Sequence, residues 1–272
     1  MFFKPFLISS MKKTLFILAT MAVSLATAEA STVLISFGTN SGPSTSIKDG
    51  TYLGEVGQKV NRISTDGYNS YTSDVLITTD SNATGITLTT GSTCCGGAGV
   101  LSSPEASAVE GQNNKFFDVF GTDMATGNPM GGVVNVDNST LTTTLNHLSI
   151  GSYELTVLIG RGNAYGGATS STYSIAGTNI ANISASLDNY STGSNASLSG
   201  NSITANTYNN DWILVTYSFD VTADDSNIEI KSQGGGGNFN ALALTSESIP
   251  EPAVASLSLL GLGALMMRRR RA

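Results

Sequence analysis

The stretch Trp212-Ile213-Leu214-Val215-Thr216-Tyr217-Ser218-Phe219-Asp220-Val221 decides the fold class. Ile213, Val215, Tyr217, Phe219 and Val221 fall at every second position, and Leu214, Thr216, Ser218 and Asp220 fill the places between. Successive side chains point to opposite faces in an extended chain, so this period of two predicts a strand with one face on a core. Outward from it the pattern recurs. Downstream, 227–231 alternates in the same way after the turn residues Ala223-Asp224-Asp225-Ser226, and 239–245 closes the body beyond the glycine run that starts at Gly234. Upstream, 153–159 puts Tyr153, Leu155, Val157 and Ile159 on one face, while Leu158 on the other predicts partial cover of the second face.

Further strands are expected at 33–37, 75–79, 86–90, 116–120, 133–136 and 142–150, with Asp80-Ser81-Asn82 joining the second and third as a hairpin. Thinner, edge-like strands are expected at 173–176, 183–187 and 196–199. The span 39–46 reads as a polar loop, and 105–110 has the composition of a helical turn. No stretch of ten or more residues in the body keeps a helical period. The economical fold is all-β, a single β-sandwich over 31–248.

Charge narrows the function classes. The body carries six cations (Lys48, Lys59, Arg62, Lys115, Arg161, Lys231) against eighteen acids, in a chain whose net charge is −7. So few cations cannot neutralise a phosphate backbone, so nucleic acid is not an expected partner.

The opening strand ending Ser36-Phe37-Gly38, the central strand over 152–161, the strand led by Trp212 and the closing run over 239–244 resemble the galactose-binding-like jelly rolls of secreted bacterial proteins. The resemblance implies a jelly-roll-like sandwich and, in many such modules, carbohydrate binding through variable loops. It transfers no site.

Both termini carry processing signals. Lys12 and Lys13, an apolar run from Leu15 to Ala28, and Ala28-Glu29-Ala30 ahead of Ser31 form the pattern of a secretory signal peptide over 1–30, with Ala28 and Ala30 marking the cleavage site. At the other end Pro250-Glu251-Pro252 precedes an uncharged stretch over 253–267 and then Arg268, Arg269, Arg270 and Arg271. The prolines stiffen an extended spacer. As a helix the apolar stretch would span about 22 Å, short of the roughly 30 Å hydrocarbon core. Local thinning and snorkelling arginine stems can close that gap. The arginines act as a stop on the cytoplasmic side.

This order of parts over 249–272 resembles the PEP-CTERM sorting signal of Gram-negative bacteria. It implies signal peptidase and an exosortase as processing partners, transient residence in the inner membrane, and release to the cell surface or an exopolysaccharide matrix. The expected protein is a noncatalytic, exported surface or matrix protein associated with exopolysaccharide. The alternatives are a secreted carbohydrate-active hydrolase and a purely structural coat protein.

Candidate chemistry inside the body is sparse. Arg161 and Tyr165 lie in a glycine-rich loop, and Trp212 is either a core residue or a sugar-stacking platform, so these three form the candidate ligand set. Cys94 and Cys95 are adjacent, with α-carbons about 3.8 Å apart, below the usual disulfide range of about 4.4–6.8 Å. They are read as a strained vicinal disulfide or as thiols. No catalytic set and no metal-binding motif is expected, so no cofactor is assigned. Asp137-Asn138, Asp188-Asn189 and Asp224-Asp225 are the oxygen-rich pairs that a structural calcium ion would use. The single histidine, His147, is read as a half-exposed strand residue, with no Gly-x-Ser-x-Gly elbow to accompany it.

Overall fold

The computed structural model describes residues 30–37, 43–64, 70–92, 99–100, 119–120, 133–134, 140–159, 170–189, 196–205, 213–234 and 238–246. In chain order the strands are β1 (Ser31–Phe37), β2 (Ser44–Tyr52), β3 (Glu55–Ser64), β4 (Ser70–Thr72), β5 (Thr87–Ser92), β6 (Gly99–Val100), β7 (Val133–Val134), β8 (Thr140–Leu148) and β9 (Gly151–Ile159). They continue with β10 (Ser171–Thr178), β11 (Ile180–Asn189), β12 (Ser197–Ser199), β13 (Ser202–Ala205), β14 (Ile213–Val221), β15 (Ser226–Gly234), β16 (Asn238–Phe239) and β17 (Ala241–Ser246).

Two seven-stranded sheets hold most of the described residues. The first runs β11-β14-β9-β17-β1-β3-β2 and the second β12-β13-β10-β15-β8-β5-β4; β16, β7 and β6 form a small third sheet, whose Phe239 packs into the core of the sandwich. The alternation in β14 does what its period requires. Ile213, Val215, Tyr217, Phe219 and Val221 are all buried in a core shared with Leu141, Leu145, Tyr173, Ile175, Ile228 and Ile230 of the second sheet. The fold is a β-sandwich.

Leu158 and Leu214 face the other way. With Leu34, Tyr52, Val60, Ala241 and Ala243 they form a second apolar cluster on the outer face of the first sheet, completed by Phe120. Val119 and Phe120 are helical where a strand over 116–120 was expected. An apolar run of that length records burial but not the backbone that achieves it. Phe120 stacks at a tilt on Tyr52, with ring centres 5.7 Å apart, and the Val119 carbonyl accepts a hydrogen bond from the Leu53 amide at 2.7 Å.

The expected loop over 39–46 gives way to β2 from Ser44 onward, which forms a hairpin with β3. Leu53 and Gly54 form its two-residue turn, with φ of 49° and 83°, the left-handed pair that matches strand twist in tight hairpins. The expected strand over 75–79 is reduced to one isolated bridge, Ile77 to Ala83. The reason is a wedge. β1 and β3 run parallel for only four residue pairs, from Leu34↔Val60 to Phe37↔Ile63. Below that, Thr79 fits between the strands, its amide donating to the Thr32 carbonyl and its carbonyl accepting from the Lys59 amide. Buried Asn61 locks the wedge. Its amide donates to the carbonyls of Leu34 (2.9 Å) and Ile77 (2.8 Å), and its carbonyl accepts from the Ile77 amide (2.9 Å).

The strand expected over 142–150 ends at Leu148, and the turn at Ser149 and Ile150 passes the chain from one sheet to the other. β11 and β12 are edges as expected, whereas β10 is interior, between β13 and β15. Three short connections, β8 to β9, β10 to β11 and β14 to β15, cross between the sheets at one end of the sandwich, called here the corner end.

Candidate functional site

The strand ends opposite the corner end converge. Ile159 pairs with Ile213, Asn189 with Ile213, and Ser171 with both Ala205 and Gly234. Arg161, Tyr165 and Trp212 lie outside the described residues, in stretches that these paired residues flank. The end of β9 and the start of β14 are therefore neighbours, which brings the attachment points of the Arg161 and Trp212 stretches together. Cys94 and Cys95 also lie outside the described residues, following Ser92, which pairs with Leu141 near the start of β8 at the same end. Pro250, Glu251, Pro252, Arg268, Arg269, Arg270, Arg271, Ala28, Asp137 and Asn138 are outside the described residues too, and Ala30 is exposed.

The corner end holds a polar network that can be described atom by atom. β8 slips against β15 between Leu145↔Ile228 and Leu148↔Ser226, and the resulting bulge puts His147 at φ 63°. Its Nδ1 lies 2.6 Å from Asp225 Oδ1, with Asp225 at φ 59°. Asp224 accepts a hydrogen bond from the Ile150 amide at 3.1 Å. Asp220 accepts from Ser152 Oγ at 2.6 Å and Asn182 Nδ2 at 2.7 Å, first the Asn182 and then the Ser152 bond holding its carboxyl below the ordinary carboxylate range. Asn179 bridges two connections, its carbonyl accepting from the Thr222 amide and hydroxyl and its side-chain amide donating to Ser226 Oγ.

What this arrangement can do chemically is limited by exposure. The side chains of His147 and Asp225 are 57% and 80% exposed, so solvent screens the pair and it contributes little to stability. Among the described residues no serine, threonine or cysteine hydrogen-bonds the His147 ring, so a base and its orienting acid are present without a nucleophile. Every carboxylate among the described residues is exposed or half-exposed. The Asp224 and Asp225 pair, which the sequence offered to calcium, commits one carboxylate oxygen each to the Ile150 amide and to His147, and Asp188 is exposed on an edge strand. Among the described residues no group of three or more His, Cys, Asp or Glu side chains could hold a metal ion.

The contact between His147 and Asp225 spans 78 residues and no local pattern announces it. The signal that could have found it was the pairing of β8 with β15, both of which alternate legibly in sequence. No protein-family model, curated protein or solved structure matches the chain. Among the described residues no helix is long and apolar enough to cross a membrane, and the stretch over 253–267 lies outside them.

Proposed function

We propose that the chain is a noncatalytic exported protein of the cell surface or extracellular matrix, associated with exopolysaccharide and sorted through Pro250, Glu251 and Pro252. The observation that carries the reading is the ladder between β1 and β17, in which Ser31 pairs with Ser246. The first residue after the Ala28-Glu29-Ala30 pattern and the last described residue before the sorting motif thus stand side by side at the corner end. Export trimming and membrane tethering then act at one point, and the strand ends flanking the Arg161 and Trp212 stretches point away from it.

The body is proposed to be a jelly roll. Supporting this, β8-β15-β10-β13 in one sheet stands against β9-β14-β11 in the other, and successive strands from β8 to β11 alternate between sheets. That is the order produced when a long hairpin rolls up around a core.

Replacing Pro250, Glu251 and Pro252 together by alanine tests the sorting half of the proposal. The expected result is retention of the unprocessed chain in the membrane fraction, and unchanged release sinks it. Binding of the purified mature chain to exopolysaccharide from its own cells tests the other half, with Arg161→Ala and Trp212→Ala alongside and sugar release followed in the same samples. Saturable binding without release is expected. Release of sugar would establish a hydrolase instead, and neither binding nor release would leave a structural coat protein.

A further inference from the structure

Three buried hydroxyls between the two sheets have no hydrogen-bond partner among the described residues: Ser171 Oγ, Ser232 Oγ and Tyr217 Oη. All three side chains are fully buried. Their places in the sheets bring them together. Ser171 and Tyr173 share the inward face of β10, Ser232 lies directly opposite Tyr173 on β15, and the residue opposite Ser171 is Gly234, which has no side chain to offer a bond. Tyr217 enters from the other sheet, and it is fully buried in the same core cluster as Tyr173. Tyr173 itself is anchored edge-on against Phe239, with ring centres 5.8 Å apart.

Leaving a buried hydroxyl without any partner forfeits its bonds to water, and core hydroxyls of native proteins are nearly always satisfied. Three such groups drawn from both sheets supply the two to four polar contacts that hold an internal water molecule. We infer that Ser171, Ser232 and Tyr217 share an internal cluster of bound water between the two sheets.

The sign of a conservative substitution tests this. Tyr217→Phe removes only the hydroxyl. If the hydroxyl is held by water, the unfolding equilibrium constant of the purified protein rises about fivefold, the weight of one net hydrogen bond. If it is an orphan, the variant is as stable as the wild type or more so, which overturns the inference. Ser232→Ala gives a second, milder probe. The two substitutions combined must be non-additive, because they act on one shared cluster, and strict additivity also refutes it. Oxygen-17 relaxation dispersion of the solvent reads the water directly. A long-lived population that falls in Tyr217→Phe is expected, and its absence from the wild type overturns the assignment.

Discussion

Asn61 offers the sharpest test of how this sandwich is held. The side chain is fully buried on β3 and makes three hydrogen bonds, to the Leu34 carbonyl and to both backbone groups of Ile77. Leucine has the same branched skeleton, is larger, and has none of the polarity. Asn61→Leu therefore leaves two carbonyls and one amide without partners at the point where Thr79 enters between β1 and β3. At about 1 kcal/mol of net stability for each bond, the expected loss is about 3 kcal/mol. That is a large share of the roughly 5–15 kcal/mol that stabilises a typical domain. The assay is urea unfolding followed by far-ultraviolet circular dichroism, with the midpoint shifted and the slope unchanged. Asn61→Asp is the control for mechanism. It keeps the acceptor for Ile77 but sets a carboxylate against two carbonyl oxygens, so its deficit should narrow on acidification, when the protonated acid can donate. A loss below about 1 kcal/mol in Asn61→Leu would refute the locking role, since it would mean that water reaches the freed groups.

Three further outcomes are expected. Leu53→Asn should stabilise the fold by about 0.5–1 kcal/mol in the same assay, because Leu53 sits at φ 49° before Gly54 and asparagine tolerates that conformation better. Gly177→Ala should lower the melting temperature strongly, since a Cβ there would stand 2.2 Å from the Asn227 carbonyl oxygen and 2.6 Å from Ile180 Cγ1. Asp220 has a folded pKa depressed by Asn182 and Ser152, so its contribution is present above the unfolded carboxylate range and is lost as pH falls through the folded value. Asn182→Ala combined with Ser152→Ala should flatten the acid limb of a stability-against-pH curve, and an unaltered limb would show that these two bonds do not matter.

The parts of the fold legible in sequence were those where one face is wet and the other dry. β14 and β15 alternate because their outer residues meet solvent while their inner ones meet the opposite sheet. Leu158 broke its alternation for a physical reason, the second cluster around Phe120. β2 and β3 were not legible: their exposed positions, Val56 among them, leave no period to read, and a Leu-Gly turn is an unusual choice for a two-residue hairpin. The role of Asn61 could not be foreseen, because its partners depend on a wedge formed by a distant irregular segment. At the candidate site, the sequence located Arg161 and Trp212 beside strands, and only the register between β9 and β14 shows that those strands end together. The left-handed turn of the backbone at His147 left no trace in composition.

The position of β17 also governs how the protein bears a load. It lies in the middle of the first sheet, hydrogen-bonded along its length to β1 on one side and β9 on the other. A pull between a C-terminal tether below Ser246 and a weight borne at the opposite end runs along the strand axes. The rungs on both flanks of β17 then resist together in shear instead of parting one at a time. Under such a load, β17 is the strand that two neighbours hold at once.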